Sequence, residues 1–282
     1  MKIFTIILII LLPGCAINIT TDSFIYQDEK IESTLDLEKI RGKISQDPTL
    51  IAISDISLTT QEGLVLNGVK LLHKKALINI VFFGGNGMKI STSSGILNKF
   101  SSLPANVIWF DYRGTGVSEK NSELNVSDLQ SDALSVFDFA NKNLPSNIPT
   151  AIHGLSMGSL LASYIANERI IDALILDGAI SSVPELIDNA VPSWSNVFYT
   201  VKVSSELAKI NNLELIKNYN EPLLFLVGEN DSTTPVKFSQ ELYDASSSSV
   251  KTLTVIPNAD HGETMKKDEA IEAYLLFINN LR

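Results

Sequence analysis

The sequence predicts an α/β protein with a mostly parallel sheet, an antiparallel hairpin at its start and helices on both faces. Three observations carry this prediction. From about Ile51 onward, short apolar runs bounded by turn residues recur: "ALINIVFF", "ANVIWFDY", "TAIHGL", "IDALILD", "PLLFLVG" and "KTLTVIP". Strands buried on both faces read this way. Helical periodicities separate them, at 126–143, 157–167, 236–246 and 266–281. Ahead of them, "IAISDISLTT" and "LVLNGVKLL" flank the turn Gln61-Glu62-Gly63, which predicts a hairpin. Alternation of this kind gives a sheet covered on both sides, with chemistry gathered at the carboxyl ends of its strands.

Composition agrees with that reading. The chain has 282 residues, 45% of them hydrophobic and 19% charged, enough to bury the core of one large domain. Its formal net charge is −10, and no run of Lys or Arg interrupts it. A general affinity for nucleic-acid phosphates or anionic headgroups is therefore not expected.

The first twenty residues, "MKIFTIILIILLPGCAINIT", place one Lys before an apolar run from Ile3 to Leu12. That run is shorter than the ~20 apolar residues a bilayer span needs, and its order is that of an export signal. Residues 1–14 are thus expected to be a signal peptide. The signal ends at Cys15, the sole cysteine. Leu12, Gly14 and Cys15 resemble a bacterial lipobox, in which the cysteine after the cleavage point carries a diacylglyceryl group; Pro13 is an uncommon residue at its place. The resemblance implies a lipoprotein held at the cell envelope by Cys15, and an exported chain with one cysteine cannot form an internal disulfide. Residues 15–50, polar and acidic with scattered apolar positions, read as a tether with a short helix near Leu35 to Lys43. The α/β domain is then expected to span 51–282.

One interval breaks the strand–helix rhythm. Between Asp177 and Leu223 roughly 45 residues intervene, a length that is usually functional. A small cap over about 180–220 is expected, with a helical stretch near Ser204 to Ile210, and Trp194, Phe198 and Tyr199 are candidates to line an acyl pocket.

The chemistry is sought at the strand ends. "HGLSMGS" places Ser156 between two glycines at a strand-to-helix passage. A Gly-x-Ser-x-Gly spacing arises by chance in about one chain in ten of this length, so the serine needs a base and an acid from elsewhere. Of three histidines, His153 lies inside the strand and His73 in a polar turn, whereas His261 follows the last strand in "IPNADHGE". His261 is the expected base. Asp231, in "VGENDSTTP", is the preferred acid, with Asp177 its rival and Glu229 and Asp260 lesser candidates. The order Ser, Asp, His on successive strand-end loops is a known hydrolase arrangement. The oxyanion requires two N–H donors. Met157 supplies one at the start of a helix, and Asn86, or failing it Gly85, supplies the other from "FFGGNGM". That glycine loop fits neither a P-loop nor a dinucleotide fingerprint. No cofactor and no metal are expected.

Jointly, "FFGGNGM", "VIWFDYRGTGVSE", "HGLSMGS", "LLFLVGENDSTTP" and "PNADHGE" resemble the α/β-hydrolase superfamily, and within it bacterial serine hydrolases similar to the BEM46-like and monoacylglycerol-lipase-like enzymes. The resemblance implies an α/β-hydrolase fold with Ser156 as nucleophile, Asp231 as acid, His261 as base and the Asn86 and Met157 amides as oxyanion hole. It also implies that "DYRGTGVSE" shapes the site without acting in it. The chain departs from the pattern at Gly84, often His, and at Ser159, often Gly. The expected function is hydrolysis of carboxylic esters, lipid-derived acyl esters among them, through an acyl-enzyme at the bacterial envelope. The alternatives are a peptidase or amidase of the same fold, or a catalytically silent binding lipoprotein. The expected partners are a small acyl ester and a membrane reached through the lipid on Cys15.

Cells expressing the protein should incorporate a palmitate analogue, and a Cys15→Ala variant should not. Label retained by that variant contradicts lipidation at Cys15.

Overall fold

The computed structural model describes residues 15–191 and 199–281. In chain order it begins with strand β1 (Cys15–Ile19), two short helices, α1 (Thr21–Phe24) and α2 (Leu37–Arg41), and the hairpin β2 (Ile51–Thr59) and β3 (Val65–His73). Strand β4 (Ile78–Phe83) leads to α3 (Ile90–Ser93) and α4 (Gly95–Ser101), and β5 (Ala105–Phe110) leads to α5 (Val126–Asn143). Then come β6 (Thr150–Leu155), α6 (Met157–Glu168), β7 (Ala173–Asp177), α7 (Val183–Ala190), β8 (Tyr199–Val203) and α8 (Asn212–Ile216). The chain closes with β9 (Leu223–Gly228), α9 (Val236–Ala245), β10 (Lys251–Ile256) and α10 (Asp268–Asn280).

Eight strands form one sheet in the order β10-β9-β7-β6-β4-β5-β3-β2. Pairing is parallel from β10 to β5 and antiparallel where β3 meets β5 and β2. The hairpin pairs Ile51 with His73 and Thr59 with Val65, around the turn expected from the sequence. Alternation along the central strands divides the core in two, since successive side chains leave a strand on opposite faces. Val81 and Phe83 of β4, Ile108 and Phe110 of β5 and Phe225 of β9 face α5, α6 and α9. Ile80, Phe82, Val107, Trp109, Leu224 and Leu226 face α4 and α10.

Residues 15–50 are not the free tether that composition suggests. Strand β1 pairs in parallel with β8, Cys15 opposite Tyr199 and Ile19 opposite Val203. Ile25 and Ile40 are buried, and the Asp28 carboxylate accepts from Gly116 N–H at 2.8 Å. Six apolar residues, Phe24, Ile25, Leu35, Leu37, Ile40 and Ile44, pack on the two cores, which the scattered spacing conceals. The expected helix near 35–43 is α2.

Among its described residues the 180–220 interval holds α7, β8, a 3₁₀ turn at Leu207–Lys209 in place of the longer helix expected at 204–210, and α8. Trp194 and Phe198 lie outside the described residues, and Tyr199 is described only by its place in β8. Glu206 joins this interval to two other elements, accepting from the Val126 N–H at the start of α5 (2.6 Å) and from Thr21 Oγ1 (2.9 Å). Among the described residues no helix is long and apolar enough to cross a membrane.

The loop after β5 is a rigid support. The buried Arg113 guanidinium grips Asp132 of α5 with Nε and Nη2 at 2.6 and 2.7 Å and reaches Glu62 at 3.1 Å. Asp111 accepts from the N–H groups of Ile90 and Val117, and burial pushes its carboxyl up to about 7 against the pull of those donors. Removing one member of a buried, bidentate ion pair leaves the other uncompensated, at a cost of about 3–5 kcal/mol. Arg113→Ala should lower urea-unfolding stability by about that amount. A loss under about 1 kcal/mol would show that the pair is dispensable.

Candidate active site

The candidate nucleophile stands where β6 turns into α6. Ser156 has φ 53° and ψ −117°, a backbone conformation that L-residues rarely adopt. Two glycines make it possible. A Cβ at Gly158 would overlap the Phe83 carbonyl, and one at Gly154 would overlap the Gly158 carbonyl, so only glycine lets α6 approach β4 and β6 this closely. The Ser156 N–H donates to the Asp177 carbonyl at 2.9 Å, which fixes the turn to β7. Ser159 fills the position that departs from the family pattern. It is buried, and its Oγ accepts from the Ile180 N–H at 3.1 Å, fastening the first turn of α6 to the segment that follows β7.

Loops from two other strand ends converge on this serine. His261, after β10, has Nε2 2.9 Å from Ser156 Oγ and Nδ1 2.8 Å from Asp231 Oδ2. A carboxylate only accepts, so Nδ1 carries the proton and Nε2 is left to accept from the serine hydroxyl. Asp231, after β9, is buried and well supplied with donors: Thr233 and Thr234 N–H reach Oδ1 at 3.0 and 2.8 Å, and Thr234 Oγ1 reaches Oδ2 at 2.9 Å. Burial pushes its carboxyl up, but the hydrogen bonds from His261 and Thr234 outweigh this and hold it below the usual carboxylate range. A lowered folded-state value contributes stability above the ordinary carboxylate value, and that contribution is lost as pH falls through the folded value.

The other sequence candidates lie apart. Asp177 turns its carboxylate to Thr264 Oγ1 at 2.5 Å and contributes to the site through its backbone carbonyl. Glu229 accepts from the Asn258 N–H, and Asp260 accepts through its carbonyl from Glu263 N–H. His153 is fully buried among Phe82, Phe100 and Tyr274, with Nδ1 3.2 Å from Tyr274 Oη. His73 ends β3 and is half-buried, away from Ser156.

The glycine loop after β4 borders the serine. A Cβ on Gly85 would lie 3.6 Å from Ser156 Cβ. The N–H groups of Gly85, Asn86 and Met157 donate to no carbonyl among the described residues, and Met157 is the first residue of α6, where an N–H has no intrahelical acceptor. Tyr112 Oη donates to the Gly84 carbonyl at 2.7 Å, which is how the "DYRGTGVSE" loop shapes the site from below. One role escapes the sequence reading. The Asn86 side chain, exposed and at the tip of the loop, bonds to the backbone of Phe24 and Tyr26. The polar cluster opens on a cavity of about 690 Å³ whose apolar wall includes Phe24, Met88, Ile96, Leu155, Leu186 and Met265. That volume suits a small acyl ligand.

A family model described as serine aminopeptidase, S33, matches residues 74–218, just over half of the chain. The chain belongs to the serine aminopeptidase S33 family. S33 membership brings the relatives into order. The chain is 31% identical to lysophosphatidylserine lipase ABHD12 of Macaca fascicularis over 156 residues, which is 51% of this chain and 38% of that one. It therefore spans about two fifths of the length of the ABHD12 relatives it matches. It is 23% identical to protein bem46 of Schizosaccharomyces pombe over 222 residues, covering 76% and 72%. With YfhR of Salmonella typhi it shares 25% over 276 residues, covering 91% and 84%. In fold it is similar to the Pyrococcus furiosus esterase Pf2001, with TM-score 0.69, 16% identity and coverage of 91% and 97%. These findings make the S33 member an α/β-hydrolase of the BEM46-like type.

Strain at Ser156 has a measurable consequence. Positive φ of this kind costs about 1–3 kcal/mol, more than the ~0.4–1 kcal/mol of added unfolded-state entropy that glycine brings. Ser156→Gly should therefore be more stable than Ser156→Ala by about 1 kcal/mol in thermal unfolding. The reverse order would mean that the turn is relaxed.

Proposed function

We propose that the protein is a serine hydrolase that cleaves carboxylic esters through an acyl-enzyme. The observation that carries this is the unbroken chain from Asp231 through His261 to Ser156 Oγ, at 2.8 and 2.9 Å, facing an apolar cavity. Ser156 Oγ attacks the acyl carbonyl while His261 Nε2 takes its proton. Charge on the carbonyl oxygen is met by the N–H groups of Asn86 and Met157, and the dipole of α6 adds to it. Collapse of the tetrahedral species expels the alcohol, which receives the proton from His261. Water, deprotonated by His261, then releases the carboxylic acid and restores the serine.

A peptidase reading is suggested by the family's description. An aminopeptidase has to receive the charged amino terminus of its substrate, a task for carboxylates. The charged cavity lining supplies the opposite: Lys99 and Lys266, with no Asp or Glu among the described lining residues. This favours a neutral or anionic ester over a peptide. A relative named a lysophosphatidylserine lipase supports lipid-derived acyl esters as the substrate class. Attachment to the bacterial envelope through a lipid on Cys15 belongs to the same proposal. Its support is the lipobox-like Leu12-Pro13-Gly14-Cys15, which runs directly into β1.

Ser156→Ala and His261→Ala should each reduce p-nitrophenyl ester turnover by about 10³-fold or more. Ser156→Ala should also cease to react with a fluorophosphonate probe. Undiminished turnover by either variant would refute the assignment, and a wild-type protein inert to the probe would favour the silent-binder alternative.

A further inference from the structure

The loop that is proposed to bind the oxyanion is poorly determined by its own residues. Gly84, Gly85 and Gly87 leave three of the five positions from Gly84 to Met88 conformationally permissive. An oxyanion donor has to be held within about 0.5 Å of its working position, so the restraint must come from outside the loop.

The structure supplies it from the amino-terminal segment, residues 20–28. The Asn86 side chain donates through Nδ2 to the Phe24 carbonyl and accepts at Oδ1 from the Tyr26 N–H, both at 2.8 Å. The carboxamide thus pairs with the segment as a peptide group in a neighbouring strand would. The Tyr26 ring lies against Gly87, where an added Cβ would come within 3.2 Å of Cγ. The segment itself is fastened on both sides of this contact. On one side Thr21 Oγ1 donates to Glu206. On the other, Asp28 N–H donates to the Gly114 carbonyl at 2.8 Å while the Asp28 carboxylate meets Gly116 N–H and Lys89 Nζ. Ile25 between them is buried, and Phe24 lines the cavity beside Ser156.

We propose that residues 20–28 form a strap that is part of the active site, in which the Asn86 side chain is a positioning group that fixes the oxyanion loop and Phe24 closes the acyl cavity. The inference rests on the ester-hydrolase reading above. Asn86 has a reason to be asparagine: one planar side chain must give one donor and one acceptor to backbone groups two residues apart. The strap ties the chain that leaves Cys15 to the reacting centre, so whatever holds the amino terminus also bears on the oxyanion loop.

The test is steady-state kinetics of the full-length protein on p-nitrophenyl acetate and p-nitrophenyl octanoate. Asn86 is exposed, so Asn86→Ala folds; Asn86→Asp keeps the acceptor for Tyr26 N–H and loses the donor to the Phe24 carbonyl. In both variants kcat on acetate should fall about 10- to 100-fold with KM within about 3-fold, because the loss is one of transition-state placement. Phe24→Ala should instead lower the octanoate-to-acetate ratio of kcat/KM by more than about 5-fold, roughly as removal of an acyl-pocket wall requires. Asn86 variants with kcat within 2-fold of the active parent, or a Phe24→Ala variant that treats both esters alike, overturn the strap alone. A parent protein without ester turnover or probe labelling overturns the hydrolase reading, and the strap with it.

Discussion

The close approach of α6 to the centre of the sheet is the constraint on which the site depends. Gly158 touches the Phe83 carbonyl and Gly154 touches Gly158, and between these contacts the chain has no route except the positive φ of Ser156. The turn that results lifts the serine hydroxyl clear of the sheet and leaves the Met157 N–H beside it without an acceptor among the described residues. The candidate nucleophile and the proposed oxyanion donor are thus two outcomes of a single packing event. Strain stored there is balanced by the surroundings: the Asp177 carbonyl takes the Ser156 N–H, and Ser159 takes the Ile180 N–H one turn on.

Asp177 and His153 show how groups of catalytic type can serve as scaffold. The Asp177 backbone holds the nucleophile turn while its carboxylate holds Thr264, three residues beyond His261. The same residue therefore sets the relative position of two loops that must meet within hydrogen-bond distance. His153, two strand positions from Leu155, points into the face occupied by Phe82, Phe100 and Tyr274 and packs as an aromatic. Its sequence neighbourhood with Ser156 brings it no contact with the serine, because alternate residues of a strand are committed to fixed faces.

Legibility in the sequence follows from whether a feature is local. The sheet strands and the longer helices announce themselves through continuous apolar runs and 3.6-residue periodicity, and α5 begins and ends where its pattern does. The loops bearing Ser156, Asp231 and His261 were readable because each follows a strand directly and topology alone brings strand ends to one edge. Helices α3 and α4 were not readable. "ISTSSGILNKFS" is rich in Ser and Gly, and only the burial of Ile90, Leu97 and Phe100 against the sheet makes it helical. The strap was concealed for the same reason. Its acidic, polar composition suggests a tether, but the groups it binds, Asn86, Gly114, Gly116 and Glu206, are 60 or more positions away in sequence. Long-range polar pairing leaves no periodic trace.

The most direct measurement of the central claim is to trap the covalent intermediate. Wild-type protein mixed with p-nitrophenyl acetate and quenched in acid within the first turnovers should carry one acetyl group on the peptide containing Ser156, observed by mass spectrometry after digestion. Turnover of the ester without an acetylated peptide, or with the acetyl group on any other residue, would contradict a Ser156 acyl-enzyme.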